Sequence, residues 1–214
     1  MSSVVKWFTH TMQGAPQLSN DWGCMTALLD AVLINGFNLK SVSSIMRSAS
    51  VATVSIPAGH LFEVDQLVSV SGADQASYNG EFRVLSTTAN TLTYAVSGSP
   101  TTPASTSTAI TIKAAPLGWE TVFTGTSKRA YRSTNPASNR PFLRVDDGCD
   151  PVWNTNYVKY ARITLAQGMS DIGTFVGARA PFDSSNPSKN EVGSGSGATA
   201  SAGWFTHKSI IKAT

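Results

Sequence analysis

The sequence predicts a mainly β protein. A small β-barrel or sandwich module at about residues 48–113 is inserted in or joined to a second β-rich domain that carries one N-terminal amphipathic helix. Two-residue alternation of apolar and polar side chains recurs in short runs between Val51 and Lys113, the mark of half-buried strands. Turn chemistry separates those runs, at Gly59, Gly72 and Asn79-Gly80. One stretch near the N-terminus has helical periodicity instead.

The helix is expected at about 21–35. Met25, Leu28, Leu29, Val32 and Leu33 fall on one face at i, i+3, i+4, i+7 and i+8. Ser19, Asn20 and Asp21 offer N-cap oxygens, and Gly36 is placed for the C′ position. Residues 1–47 as a whole read as a segment that packs with 114–182. Phe37–Val42 reads as a strand leading out, and Ile45–Arg47 as the start of another.

Within the module, Val51–Ile56 puts Ala52, Val54 and Ile56 on one side. Phe62–Val70 reads as one strand, with Phe62, Val64, Val68 and Val70 apolar. Asn79-Gly80 tolerates φ > 0 at both residues and precedes Glu81–Leu85, which pairs back with Leu92–Val96 as a hairpin. Ser97–Ser107, with Pro100 and Pro103, is excluded from a central strand because proline lacks the ladder donor. Ala109–Lys113 closes the module.

The second domain, 114–182, begins with a turn at Ala115–Trp119 and a short apolar segment at Val122-Phe123. Gly125–Asn139 reads as a polar loop, Arg140–Val145 and Val158–Leu165 as strands, and Met169–Val176 as a weaker one. Residues 183–214 form a Ser/Gly-rich arm of flexible-linker composition, with GSGSG at Gly193–Gly197, and then an apolar segment from Trp204. Trp-Phe-Thr-His occurs twice, at Trp7–His10 and Trp204–His207, with unrelated flanks.

Composition narrows the function. Charged residues make up 14% of the 214, against about a quarter in a typical soluble domain. Low charge with abundant Ser and Thr suits β surfaces buried in an assembly. The net charge of +3 is spread out, and the one tight basic group is Lys128, Arg129 and Arg132, which reads as a solvated loop or a subunit contact rather than a nucleic-acid patch. No apolar run reaches membrane-spanning length, and no secretory leader is recognisable, so folding in a cytoplasm is expected. Cys24 and Cys149 make no disulfide framework, and Cys24 reads as a buried free thiol.

No catalytic, cofactor or metal motif stands out. His10, His60 and His207 lack partners at metal-ligand spacing. Asp146, Asp147 and Asp150 around Gly148 have the chemistry for a calcium ion, but a turn with Asp capping local N–H groups is the favoured reading. The aromatics at the two ends, Trp7, Phe8, Trp204 and Phe205, are candidates for a subunit interface.

The stretches KWFTHTMQGAPQLSNDWGCMTALLDAVLINGFNLKSV, VATVSIPAGHLFEVDQLVSVSGADQASYNGEFRVLSTTANTLTYAV and KAAPLGWETVFTGTSKRAYRS…FLRVDD resemble a family of virion structural proteins of tailed bacteriophages, over roughly residues 6–180. The central one is similar to a β module of phage tail and surface proteins. The matching residues are Gly59, His60, Phe62, Val64, Val68, Val70, Ser71, Gly72, Asn79, Gly80, Phe82, Val84, Thr91, Thr93 and Tyr94. The resemblance implies a virion structural component; with no convergent polar cluster and with aromatic ends that suit repeated subunit contacts, the expectation is a non-enzymatic homo-oligomer of the tail or baseplate that contacts other virion proteins. A capsid decoration or head–tail collar protein, a glycan- or receptor-binding module and a cell-wall or capsule hydrolase are the rival readings.

Overall fold

The computed structural model describes residues 6–19, 21–148 and 161–180 in full, and residues 160 and 204–207 through their backbone. The chain divides into two compact units, Met1–Pro16 with Asn35–Leu117 and Gln17–Ile34 with Gly118–Thr214. The described residues are mainly β, in two antiparallel sheets, with one short helix near the N-terminus.

The first unit holds β1 (Phe37–Ser41), β2 (Ser44–Ser48), β3 (Val51–Ser55), β4 (Leu67–Ser71), β5 (Gly80–Thr87), β6 (Thr91–Ala95) and β7 (Thr111–Ala114). They form one seven-stranded sheet in the order β1-β7-β4-β5-β6-β3-β2. β1 and β2 are therefore opposite edges, yet only Val42 and Ser43 separate them in the chain. Val42 N donates to Ile110 O and Ser43 N donates to Ser55 O, so the link is tied to both ends of the sheet. The sheet curls back on itself without closing into a barrel. β5 turns the other corner: its first half pairs with β4, its second with β6, across a register shift between Val84 and Ser86.

The inside of the curl is filled by buried residues of β2 to β7. Ile45, Ala52, Val54, Val68, Val84, Leu92 and Ile112 are fully buried, and burial of each larger aliphatic contributes about 1.5–3 kcal/mol. Tyr78 and Tyr94 lie among them. The Tyr94 hydroxyl donates to Tyr78 O at 3.1 Å, and the Tyr78 hydroxyl to Thr101 O at 3.0 Å. Burial, with Tyr78 alongside, pushes the Tyr94 phenol above its ordinary value, so it stays a donor. The Pro-rich stretch does not join the sheet but covers an edge. Arg47 N donates to Thr102 Oγ1 at 2.8 Å and Ala104 N to Ile45 O at 2.9 Å, which occupies backbone groups that β2 would otherwise present to another chain.

Two expectations need correction in this unit. The sheet takes in Phe37–Ser48, ahead of the boundary expected at about 48. And Phe62–Val70 is not one strand: β4 starts only at Leu67. Leu61 and Asp65 have φ of 53° and 67°, and the Gln66 side chain accepts from Glu63 N, so 61–66 is a coiled loop. Val64, which alternation would bury, is 48% exposed.

The second unit holds α1 (Cys24–Leu29), which runs on as a π-helical turn over Asp30–Asn35. It also holds β8 (Trp119–Gly125), β9 (Lys128–Ser133), β10 (Phe142–Asp146), β11 (Tyr160–Met169), β12 (Phe175–Ala180) and β13 (Trp204–His207). β8 to β12 form an up-and-down meander, and β13 also pairs with β11. The apolar stripe Met25, Leu28, Leu29, Val32 and Leu33 packs on Tyr131, Val145 and Ala161, with Trp119, Leu143 and Ile163 around them. The N-cap differs from expectation. Gly23, in the left-handed region, stands there, and Asp147 Oδ2 accepts from Met25 N at 2.7 Å; Asn20 lies outside the described residues. Gly36 takes φ 71° after the last helical turn, as its C′ placement requires.

Gly125–Asn139 is a loop only in part: 134–139 is irregular, but Lys128–Ser133 is strand. β9 runs through it, with Ala130 and Tyr131 fully buried on opposite faces. Met169–Val176 is the β11–β12 turn, closed by Ser170 N donating to Thr174 O. Among the described residues no helix is long and apolar enough to cross a membrane.

Two glycines of the first unit provide a controlled test. Gly72 (φ 96°) and Gly98 (φ 72°) both adopt the left-handed region, but a Cβ on Gly72 would lie 2.4 Å from Ala109 O, whereas one on Gly98 would meet nothing within 4 Å. Gly98→Ala is expected to cost about 1–2 kcal/mol, the backbone term alone. Gly72→Ala is expected to cost roughly 3 kcal/mol or more, because backbone must also move. Urea unfolding followed by circular dichroism measures both; equal costs would contradict the packing described.

Candidate functional site

The two pairs of aromatics expected at an interface belong to different units. Trp7 is 40% exposed in an irregular segment of the first unit. Phe8, next to it, packs its ring edge-on to Phe37 at 5.9 Å. Lys6 anchors this segment through Glu81, at 2.7 Å, and the carbonyl of Pro116. Phe8 is thus held by its own unit and Trp7 is presented outward. Trp204 and Phe205 belong to β13, where their backbones pair with Ile163 and Arg162. The repeated Trp-Phe-Thr-His is therefore irregular in its first occurrence and a strand in its second.

Two further exposed apolar side chains of the first unit have no signature in the sequence. Leu61 and Leu39 are 67% and 65% exposed. His60, fully buried, holds the chain that presents Leu61. Its Nδ1 accepts from Phe62 N at 2.9 Å, which leaves Nε2 as the protonated nitrogen, donating to Thr91 O at 3.0 Å. The ring stacks on Phe62, and Asn38 Nδ2 donates to His60 O at 2.7 Å. His60 is an anchor, with Leu61 at φ 53° beside it; no local sequence signal separates that role from an ordinary turn.

Most residues of the phage-module pattern have scaffold roles. Phe62, Val68, Val70 and Val84 are buried. Asn79 is extended rather than left-handed and acts through its side chain, which donates to Ala73 O and accepts from Ala73 N. Phe82 stacks on Tyr94 with centroids 4.0 Å apart. Val64 is the pattern's exposed apolar residue.

The second unit gathers charge on the sheet face away from α1. Asp146, 2% exposed, accepts at Oδ2 from Arg162 at 2.8 Å, Lys128 at 3.0 Å and Arg144 at 3.1 Å. Gly148 N donates to its Oδ1 at 3.1 Å. Burial alone would push this carboxyl up; Arg162, Lys128 and Arg144 outweigh it and hold the group below its ordinary value. Strand alternation puts Arg129 on the face opposite Lys128 and Arg132, and each of the three has its own carboxylate partner. Lys128 pairs with Asp146, Arg129 with Asp30 at 3.0 Å, and Arg132 with Glu120 at 2.7 Å. Asp146 accepts from the local N–H of Gly148 as expected and is also an ion-pair centre, Asp147 instead accepts from the distant Met25 N, and Asp150 and Cys149 lie outside the described residues. Cys24 is a free, half-buried thiol that donates to Ser19 O. Among the described residues no group of three His, Cys, Asp or Glu side chains is placed to hold a metal.

A concavity of about 580 Å³ lies along β12, lined by Gly173, Thr174, Phe175, Gly177, Ala178 and Arg179. The guanidiniums of Arg179 and Arg144 lie 4.7 and 5.6 Å from the Phe175 ring centroid. The aromatic surface there is engaged by cations of its own sheet.

The ion cluster gives a signed pH dependence. A carboxyl depressed in the folded state stabilises above its unfolded value, about 3.9. That contribution is lost as pH falls through the lower folded value. Asp146→Asn is expected to cost roughly 3 kcal/mol at pH 7, because it strands buried cations. The gap between wild type and variant is expected to narrow below about pH 4. Denaturant midpoints at pH 7, 4 and 3 measure it, and a constant gap would contradict the cluster.

No family model matches the chain, and no curated protein matches it. Among solved structures it is similar to a phage phi92 endosialidase, with 14% identity and a TM-score of 0.31 over 62% of this chain and 28% of that one. The chain thus spans well under half of that protein, and a likeness of this degree carries no argument about what it does.

Proposed function

We propose that the chain is a non-enzymatic structural component of a tailed-phage virion. On this reading it sits in the tail or baseplate, assembles as a homo-oligomer and contacts other virion proteins. The observation that carries the reading is where the phage-module pattern falls in the fold. Gly59 and Gly72 take positive φ, His60 anchors a loop, and Phe62, Val68, Val70, Val84 and Tyr94 are core. The pattern falls on the loop before β4 and on β4 to β6 of the first unit, and the reading rests on the resemblance of that stretch to virion structural proteins. The surface supports the same reading. Trp7, Leu39, Leu61 and Val64 stand exposed on a unit whose own core is filled, and contacts repeated around a symmetric particle bury such side chains. Among the described residues of the second unit, Arg129, Arg132 and Arg162 are engaged in ion pairs within it, which suits a rigid building block.

Light scattering of the purified chain, beside negative-stain imaging of antibody-labelled virions, tests the proposal. A defined oligomer with label on the tail or its tip is expected. Label over the capsid or neck would move the protein to a decoration or collar role. A monomer with no virion label would overturn the proposal and favour the glycan-binding or hydrolase readings.

A further inference from the structure

We propose that β13 is an exchangeable strand, given by one copy of the chain to the β11 edge of another. The inference rests on the homo-oligomeric part of the proposed function. β12 and β13 lie along the same edge of β11 and run in the same direction. β12 ends with Ala180 opposite Leu165, and β13 begins with Trp204 opposite Ile163. Only Thr164 of β11 separates the two partners. The end of one strand and the start of the next are therefore two residues apart along β11, or about 7 Å at the rise of an antiparallel strand. In register they are one interrupted strand.

The interruption is out of proportion to the gap. Residues 181–203 join the two pieces, and covalent geometry lets twenty-three residues span up to about 80 Å. Ten of them are Ser or Gly. A link ten times longer than the distance it must cross places little restriction on which copy fills the edge. The need for a filler is fixed by β11 itself. Tyr160–Ile163 pairs with β13 on one side, and without that strand its backbone donors and acceptors would lie open beside Arg162, which is bound to Asp146. A second copy meets the need, because it carries the same four residues with the same register. Exchange of an identical element between protomers adds no new interface chemistry and closes naturally in a symmetric ring or dimer.

The register also supplies the test. Ala161 pairs with Thr206, and paired residues on antiparallel strands have Cα atoms at disulfide-compatible spacing. Two full-length chains are co-expressed in a Cys24→Ala, Cys149→Ala background. One carries Ala161→Cys, and the other, enlarged by a tag, carries Thr206→Cys. After mild oxidation, a denaturing gel without reductant is expected to show a disulfide-linked heterodimer in excess over either homodimer, and light scattering a defined oligomer. A chain carrying both substitutions is expected to link between copies. An oligomer whose double variant links only within a chain, with no heterodimer from the mixed singles, would overturn exchange while leaving the homo-oligomer intact. A monomer would overturn both. If Ala161→Cys disturbs the helix-facing core, Tyr160→Cys with His207→Cys repeats the measurement one register step away. Folded protein without linkage at either pair overturns the proposal.

Discussion

The two residues Val42 and Ser43 constrain the first unit more than any others. They link strands at opposite edges of a seven-stranded sheet, and a link of that length spans only about 10 Å. A flat sheet of seven strands would set those edges roughly 28 Å apart at the usual strand spacing. The sheet must therefore curl until its edges meet. The curl requires a second corner, and β5 supplies it by changing partners at Val84–Ser86. It also creates an interior, which Tyr78, Tyr94 and the alternating aliphatic residues fill.

The second unit solves a different problem, a sheet whose two faces have unlike chemistry. The helix side is apolar, with Tyr131, Val145 and Ala161 beneath the stripe of α1. The far side carries Phe142, Ala130 and Ala166 at one end and the Asp146 cluster at the other. A cluster of this kind defines register, because each cation sits on a different strand or turn position and must meet one carboxylate. A one-residue slip of β9 would send Lys128 to the helix face and Arg129 to the ionic one.

Much of this was legible in the sequence where burial and period coincide. Val51–Ile56 alternates in the sequence and in the structure, and the α1 stripe packs as its spacing requires. Legibility failed where the deciding partner is distant. Lys128–Ser133 reads as polar because its counter-charges, Asp146, Asp30 and Glu120, lie on other elements. Phe62–Gln66 alternates as a strand does, but two left-handed residues and the His60 anchor coil it. The cap of α1 comes from Asp147, more than a hundred residues away. The alignment of β12 with β13 is invisible because the pieces are separated by 181–203. Of the interface candidates, Trp7 is exposed, whereas Phe8 packs on Phe37, a contact with no local signature.

Phe37–Ser48 belongs to the first unit's sheet rather than leading into it, and is expected to open cooperatively with that sheet. Native-state amide hydrogen exchange tests this directly. The amides of β1 and β2 that bond into the sheet are expected to exchange with the same slow opening as those of β4 and β5. Exchange of Phe37–Ser48 through a separate opening, orders of magnitude faster while Leu67–Thr87 stays protected, would contradict the claim and return the module's boundary to about residue 48.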